Sequence, residues 1–266
     1  MDTNKASITR VHDAILGGKD HYAADEAVRD RLCAIDPDFP AAAQDTRAFL
    51  SRTVRYLTAE ARLTQLLDCG LGLPIVDDTH RVAQQINPEC EIVYVSVDQF
   101  ALTHARRLLA GNEHAHVTEV NLSHADRVLV DPVVTKYLDF SRPIGLLHVL
   151  SLHHIPDHDD PWLTMRQYVD ALAPGSHVVL VHFMDPGPGH ELAGAMAQVG
   201  QVYRDGVGTG WPRSAERILD LLPGLDLLEP GLVPVGDWRP DSPRTGPLGA
   251  MQRLVMGAVA RKPFSS

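Results

Sequence analysis

Leu66-Leu67-Asp68-Cys69-Gly70-Leu71-Gly72-Leu73-Pro74 is the stretch on which the fold turns. An apolar run ends in a carboxylate and then in Gly-x-Gly, which predicts a strand over 63–69, a tight turn, and a helix over 77–86. In an open α/β sheet, ligands sit beyond the carboxyl ends of the strands, and Gly-x-Gly there lets the backbone turn sharply and approach a ligand closely. A dinucleotide-phosphate loop would carry a third glycine; here it is missing and Pro74 stands early in the turn, which weakens a nicotinamide oxidoreductase. An ordinary strand–helix turn with tight glycines is the plain alternative.

Outward from this turn, strand and helix alternate. Strands are predicted over 91–97, 117–120, 144–150 and 176–184, and helices over 100–110, 161–172, 191–203 and 214–221. The segment 144–150 is almost wholly apolar, as expected of a strand buried on both faces. Two segments, 227–233 and 253–261, close the pattern as a pair of strands. Repeated strand–helix units predict a mostly parallel sheet covered by helices on both faces. The first 60 residues read instead as helices, over 23–35 and 41–61, with a Leu16-Gly17-Gly18-Lys19-Asp20 loop before them.

With 24 Lys+Arg against 34 Asp+Glu, the net charge is −10 and no basic cluster stands out, which argues against nucleic acid as a partner. Charges throughout the first 20 residues leave no apolar signal core. No apolar run nears the ~18 residues of a membrane span. Cys33, Cys69 and Cys90 share no metal-type spacing and fit reduced thiols, so a cytoplasmic protein is expected. No Gly-x-Ser-x-Gly elbow supports acyl transfer.

Two apolar residues, Asp-x-Gly-x-Gly, resemble the S-adenosylmethionine turn of class I methyltransferases, and further segments make the likeness specific. Arg10-Val11-His12-Asp13-Ala14-Ile15-Leu16-Gly17-Gly18-Lys19-Asp20 with Ala23-Ala24-Asp25 resembles the opening of an actinobacterial S-adenosyl methyltransferase family, a former domain of unknown function. Arg47-Ala48-Phe49-Leu50, Val54-Arg55-Tyr56-Leu57, Val93-Tyr94-Val95 and His153-His154-Ile155-Pro156-Asp157 continue the match in order. So do Leu172-Ala173-Pro174-Gly175 and Trp238-Arg239-Pro240. The resemblance implies an α/β, Rossmann-like class I fold: a seven-stranded, mostly parallel sheet over 63–266 and an N-terminal helical cap over 1–62, together one structural unit. It also implies S-adenosylmethionine as cofactor and a small-molecule acceptor, with a homo-oligomer left open.

On that resemblance, Lys19 and Arg47 hold the cofactor's carboxylate, Asp68 lies near its amino-acid end, and Gly70 and Gly72 form its turn. The sequence departs from the family at Ser96, where a carboxylate usually takes the ribose hydroxyls. A hydroxyl gives up about 1.5–3 kcal/mol of charge-assisted bonding. Asp98 can substitute, against its plainer reading as an N-cap for the helix near Phe100. Asn121, with Leu122 beside it, stands where an Asp would meet adenine, and its amide can still accept and donate. His12, Ala14, Leu71 and Thr46 replace other polar family residues. The fold inference therefore stands more firmly than the cofactor inference. The alternative is a methyltransferase-fold protein with an altered cleft, serving as a non-methylating enzyme or as a binding or interaction protein.

His148, His153, His154 and His158 cluster after the fourth strand, with His182 on the fifth, but no ligand set completes a metal site, and no metal is expected. As a general base near the acceptor, His153 or His154 is better placed, weighed against a ring packed under the loop. Asp157, Asp159 and Asp160 read as turn and N-cap residues ahead of Pro161.

Overall fold

The computed structural model describes residues 2–70, 72, 78–244 and 246–264. Five parallel strands build the sheet: β1 (Gln65–Asp68), β2 (Glu91–Ser96), β3 (Ala115–Glu119), β4 (Gly145–Val149) and β5 (His177–Phe183). The long β8 (Val255–Arg261) then runs antiparallel beside β5. Across the sheet the order is β3-β2-β1-β4-β5-β8-β6, so the chain reverses direction of travel at β1/β4. That is where a doubly wound sheet opens a crevice.

The expectation of one closing strand over 227–233, giving seven in all, is corrected. The segment divides into β6 (Asp226–Leu227) and β7 (Val233–Pro234), both paired with β8, and the sheet has eight strands. Pro230 has no N–H for the ladder, and Gly231, at φ +92°, turns the chain between them.

Three N-terminal helices, α1 (Ile8–Ile15), α2 (Ala23–Ile35) and α3 (Phe39–Arg55), cover one face. Val11, Val28, Phe49 and Val54 from these helices share one buried cluster with Leu66, Ile92, Leu147 and Val179 of the sheet. The same face carries α4 (Thr79–Ile86) and, later in the chain, α9 (Ala193–Val207), which packs on α2. The opposite face buries Leu67, Val93, Leu146 and Leu180 against Met165 and Tyr168 of α8 (Pro161–Ala171). Along the chain between α4 and α8 come α5 (Gln99–Leu108) and two short helices that periodicity does not announce, α6 (Ala125–Val128) and α7 (Pro132–Tyr137), whose Val128 and Val134 join the second cluster. Ile218 of α10 (Ala215–Leu219) closes the second cluster.

The opening motif proves to be a clasp. Asp25, fully buried, accepts from Ser7 N (3.0 Å), Tyr22 N (2.9 Å) and Arg10 Nε (2.8 Å). Asp13 accepts from Asp20 N (2.9 Å) and bonds His21 Nδ1 (2.8 Å), which raises the His21 pKa chiefly through that bond. Gly18 has to be glycine, since a Cβ there would lie 2.0 Å from Asp13 Oδ1. These bonds tie α1 to the loop before α2 and to α2 itself, and Ile8 and Thr9 of α1 line the space beyond the strands.

Candidate functional site

β1 delivers Asp68 to the crevice. Its Oδ2 accepts from Thr79 Oγ1 (2.7 Å) at the start of α4, and its Oδ1 from Gly70 N (3.1 Å). Burial pushes the Asp68 pKa up to about 6, partly offset by these two hydrogen bonds and by Arg47, while Asp78 pushes the same way as burial. Gly70 lies against β4: a Cβ on it would come to 3.1 Å from the Val149 carbonyl oxygen. Leu71 and residues 73–77, including the expected start of the helix at 77, lie outside the described residues; the described part of α4 begins at Thr79. From α3, Arg47 reaches the same place. Its Nη2 lies 3.6 Å from Asp78 Oδ1, and this buried nitrogen has no hydrogen-bond partner.

Beyond Gly70 a cleft of about 390 Å³ runs past the ends of β2 and β3, lined by Ser96, Asp98, Asn121 and Leu122 and roofed by Ala6–Thr9 of the cap. Asp98 is the N-cap its position predicts: Oδ1 accepts from Phe100 N (2.8 Å) and Ala101 N (3.2 Å). Ser96 Oγ accepts from Asp98 N (3.1 Å), so the hydroxyl props the loop. Asn121 Oδ1 accepts from Ser123 N (3.0 Å). A backbone N–H only donates, so this bond fixes which end of the amide is oxygen. Leu122 is held by its carbonyl, which accepts from Tyr168 OH (2.9 Å) on α8.

On the other side of Gly70 a smaller chamber of about 100 Å³ lies under the cap, lined by His12, Thr46, Arg47, His153, His154, Phe183 and Tyr203. Its floor is Val149 and Leu150, the latter held at φ +52°. That is a costly conformation for a leucine. The cleft and the chamber share Ile8, Thr9, Gly70, Val149, Leu150 and His154.

The chamber's imidazoles are neutral. Burial lowers His153 well below its ordinary value, helped by His154, His182, Arg213 and His12. Burial holds His154 near 3, and burial with Arg47 holds His12 near 4. His154 Nδ1 bonds Thr209 Oγ1 at 2.8 Å, whereas neither nitrogen of His153 has a partner.

The structure thus gathers Arg47, Asp68, Gly70, Gly72, Ser96, Asp98, Asn121, Leu122, His153 and His154 around two adjoining pockets that share part of their lining. Lys19 is not among them; it is exposed on the clasp loop and lines neither the cleft nor the chamber. Thr79, Phe183 and Tyr203 are the residues that sequence reading missed. Their signal is positional only: Thr79 opens a helix, Phe183 ends β5 and Tyr203 sits late in α9. Of the other histidines, His148 Nδ1 bonds Ser151 Oγ (3.1 Å) inside the core, and His158 is exposed. Asp160 caps α8 by accepting from Leu163 N (3.0 Å), and Asp157 pairs with Arg213 (2.9 Å). Burial raises the Cys69 thiol, which lies in the core beside Tyr168. Among the described residues, no His, Cys, Asp and Glu group is placed to hold a metal ion. Among the same residues, no helix is long and apolar enough to cross a membrane.

The comparisons agree with this geometry. A family model described as S-adenosyl methyltransferase matches residues 1–263. A putative methyltransferase from Thermobifida fusca is 38% identical, with a TM-score of 0.93 over 98% of this chain and 97% of its own. A DUF574 family protein from Streptomyces avermitilis is 31% identical, with a TM-score of 0.90 over 98% and 99% of the two chains. Human N-acetylserotonin methyltransferase, solved with S-adenosylmethionine, shares the fold at 16% identity, a TM-score of 0.51, and 98% and 63% coverage. No curated protein matches the chain. A sheet wound about β1/β4, Gly70 and Gly72 lining the crevice and a match along nearly the whole sequence have one reading: the chain belongs to the S-adenosyl methyltransferase family.

Proposed function

We propose that this protein binds S-adenosylmethionine in the cleft and transfers its methyl group to a small molecule held in the chamber. The observation that carries the reading is the wall at Gly70, Val149 and Leu150, which lines both the cleft and the chamber beneath the N-terminal helices. The residues fit the cofactor. Arg47 brings a buried cation whose Nη2 makes no hydrogen bond and pairs with Asp78 only at 3.6 Å, suited to a carboxylate, and Asp68 faces the amino-acid end. Gly70 and Gly72 let the backbone come close. Asp98 caps its helix through Oδ1 alone, which leaves Oδ2 for ribose hydroxyls beside Ser96. With Asn121 Oδ1 engaged by Ser123, its NH₂ is the end offered to an adenine ring nitrogen, with Leu122 against the ring. When bound, the cofactor supplies an electrophilic methyl group. The chain's own part is to align the acceptor for in-line attack and to exclude water. His153 stands at the acceptor side, and Lys19 takes no part.

Ser96 favours a second reading, a related fold that has lost methyl transfer and binds another ligand, because the hydroxyl and the neighbouring cap are both already engaged in loop structure. Calorimetric titration with S-adenosylmethionine and S-adenosylhomocysteine separates the two. Binding in the micromolar range is expected; no heat at millimolar concentration leaves only the second reading. Ser96→Asp is expected to tighten binding by at least about tenfold.

A further inference from the structure

Among the described residues lining the chamber, His153 is the imidazole that has both ring nitrogens buried and without a partner. It is 1% exposed. Two neighbouring histidines, His154 and His182, are engaged. His154 Nδ1 bonds Thr209. His182 Nε2 lies 2.9 Å from Arg213 Nη1, and a guanidinium only donates, so His182 is the Nδ1–H tautomer giving its proton to the Phe183 carbonyl at 2.8 Å. An imidazole buried without partners carries a desolvation penalty that a ligand bearing both a proton and a lone pair would relieve. What surrounds it is aromatic: His154 at 4.0 Å, Phe183 edge-on at 4.7 Å and Tyr203 at 6.2 Å between ring centroids.

Resting on the methyltransferase reading above, we infer that the methyl acceptor is a small molecule of the phenol class whose hydroxyl bonds a free nitrogen of His153. His153 takes the hydroxyl proton as the oxygen's electron pair forms the new C–O bond. The pair of the broken C–S bond stays on sulfur, leaving a neutral thioether. The single positive charge that was on the sulfonium ends on the imidazolium, so the net charge of the complex is unchanged.

Two features select this class. The burial that keeps His153 neutral penalises an ammonium group by the same desolvation, and Arg47 adds repulsion. An imidazole made weakly basic needs an acidic partner, and a phenol, ionising near 10 as tyrosine does (~10), is far more acidic than an aliphatic alcohol. The ring cluster then offers edge and face contacts to an aromatic acceptor.

The test is calorimetric titration of 4-ethylphenol, 4-ethylanisole and 4-ethylbenzylamine into protein saturated with S-adenosylhomocysteine. The phenol is expected to bind at least tenfold more tightly than the other two, and His153→Phe to abolish that preference while S-adenosylhomocysteine affinity stays unchanged. His153→Gln, which keeps a donor and an acceptor, is expected to retain part of it. Equal or tighter binding of the amine or the anisole overturns the proposal, as does failure of all three to bind loaded protein. If S-adenosylhomocysteine itself does not bind, the methyltransferase reading falls, and the same three titrations on unloaded protein decide the chamber's preference. Should the His153 variants not fold, the wild-type series alone decides.

Discussion

The clasp at the N-terminus and the chamber it covers treat buried polar groups in opposite ways. In the clasp every bond has a partner: Asp25 accepts three, and Arg10, also buried, gives Nε to Asp25 and Nη2 to the Lys5 carbonyl. In the chamber, both nitrogens of His153 are buried with none, and Arg47 Nη2 makes no hydrogen bond and has only its 3.6 Å ion pair with Asp78. A satisfied buried network specifies one geometry, whereas an unsatisfied one is a cost that a ligand can remove. The clasp is therefore read as scaffold and the chamber as site, although both come from residues that the family resemblance marks alike.

Mutations can break or sharpen that contrast. The largest effect is expected at Asp25→Ala, which strands the buried Arg10 cation and should cost about 3–5 kcal/mol in urea denaturation. A loss below about 1 kcal/mol would erase the difference between the two regions.

Asp68→Asn probes the boundary between them. Asp68 ionises near 6 in the folded protein against an ordinary 3.8, so the folded state holds this proton more tightly than the unfolded chain. The stability it contributes is fully present below about pH 4 and is lost as the pH rises through about 6. Asparagine removes that loss. The variant should therefore gain stability at pH 8, by up to roughly 3 kcal/mol, while its S-adenosylhomocysteine affinity falls. Urea melts at pH 5 and pH 8 give the first answer and calorimetry the second; a variant less stable than the parent at pH 8 would place Asp68 with the scaffold.

Smaller effects follow at Gly70→Ala, where the new methyl meets the Val149 carbonyl. About 1 kcal/mol of stability should be lost, with a larger relative loss of cofactor affinity in calorimetry. The smallest is His153→Phe, expected to melt within about 1 kcal/mol of the parent, because an unpartnered ring is replaced by an apolar one of similar shape. A loss comparable to Asp25→Ala would make His153 structural.

Much of this was legible in the chain. The apolar run before Asp68 and the glycines after it predict β1 and its turn, because a doubly buried strand and a positional need for glycine are both local signals. Asp98 two residues before Phe100 predicts the observed cap. Less legible was anything set by a distant partner. Thr79 reaches Asp68 across the turn, and Tyr203 arrives at the chamber on α9. Lys19 and Arg47 read as equivalent cations in the sequence, yet only Arg47 faces the space, because the Asp13 bonds hold the Gly17–Asp20 loop outside it. The closing strand also reads as continuous, since one proline inside an apolar run does not say which edge of the sheet it will meet.

By itself the sequence determined the alternation of the five parallel strands with their longer helices and the carboxylate at the end of β1. Those depend on periodicity and on residue type, which neighbours along the chain decide. Only the tertiary structure decided which polar groups are left without partners. Burial and partnership at His153 and Arg47 are set by α1, α3, β5 and α9 meeting over Gly70, and those elements are far apart in the chain.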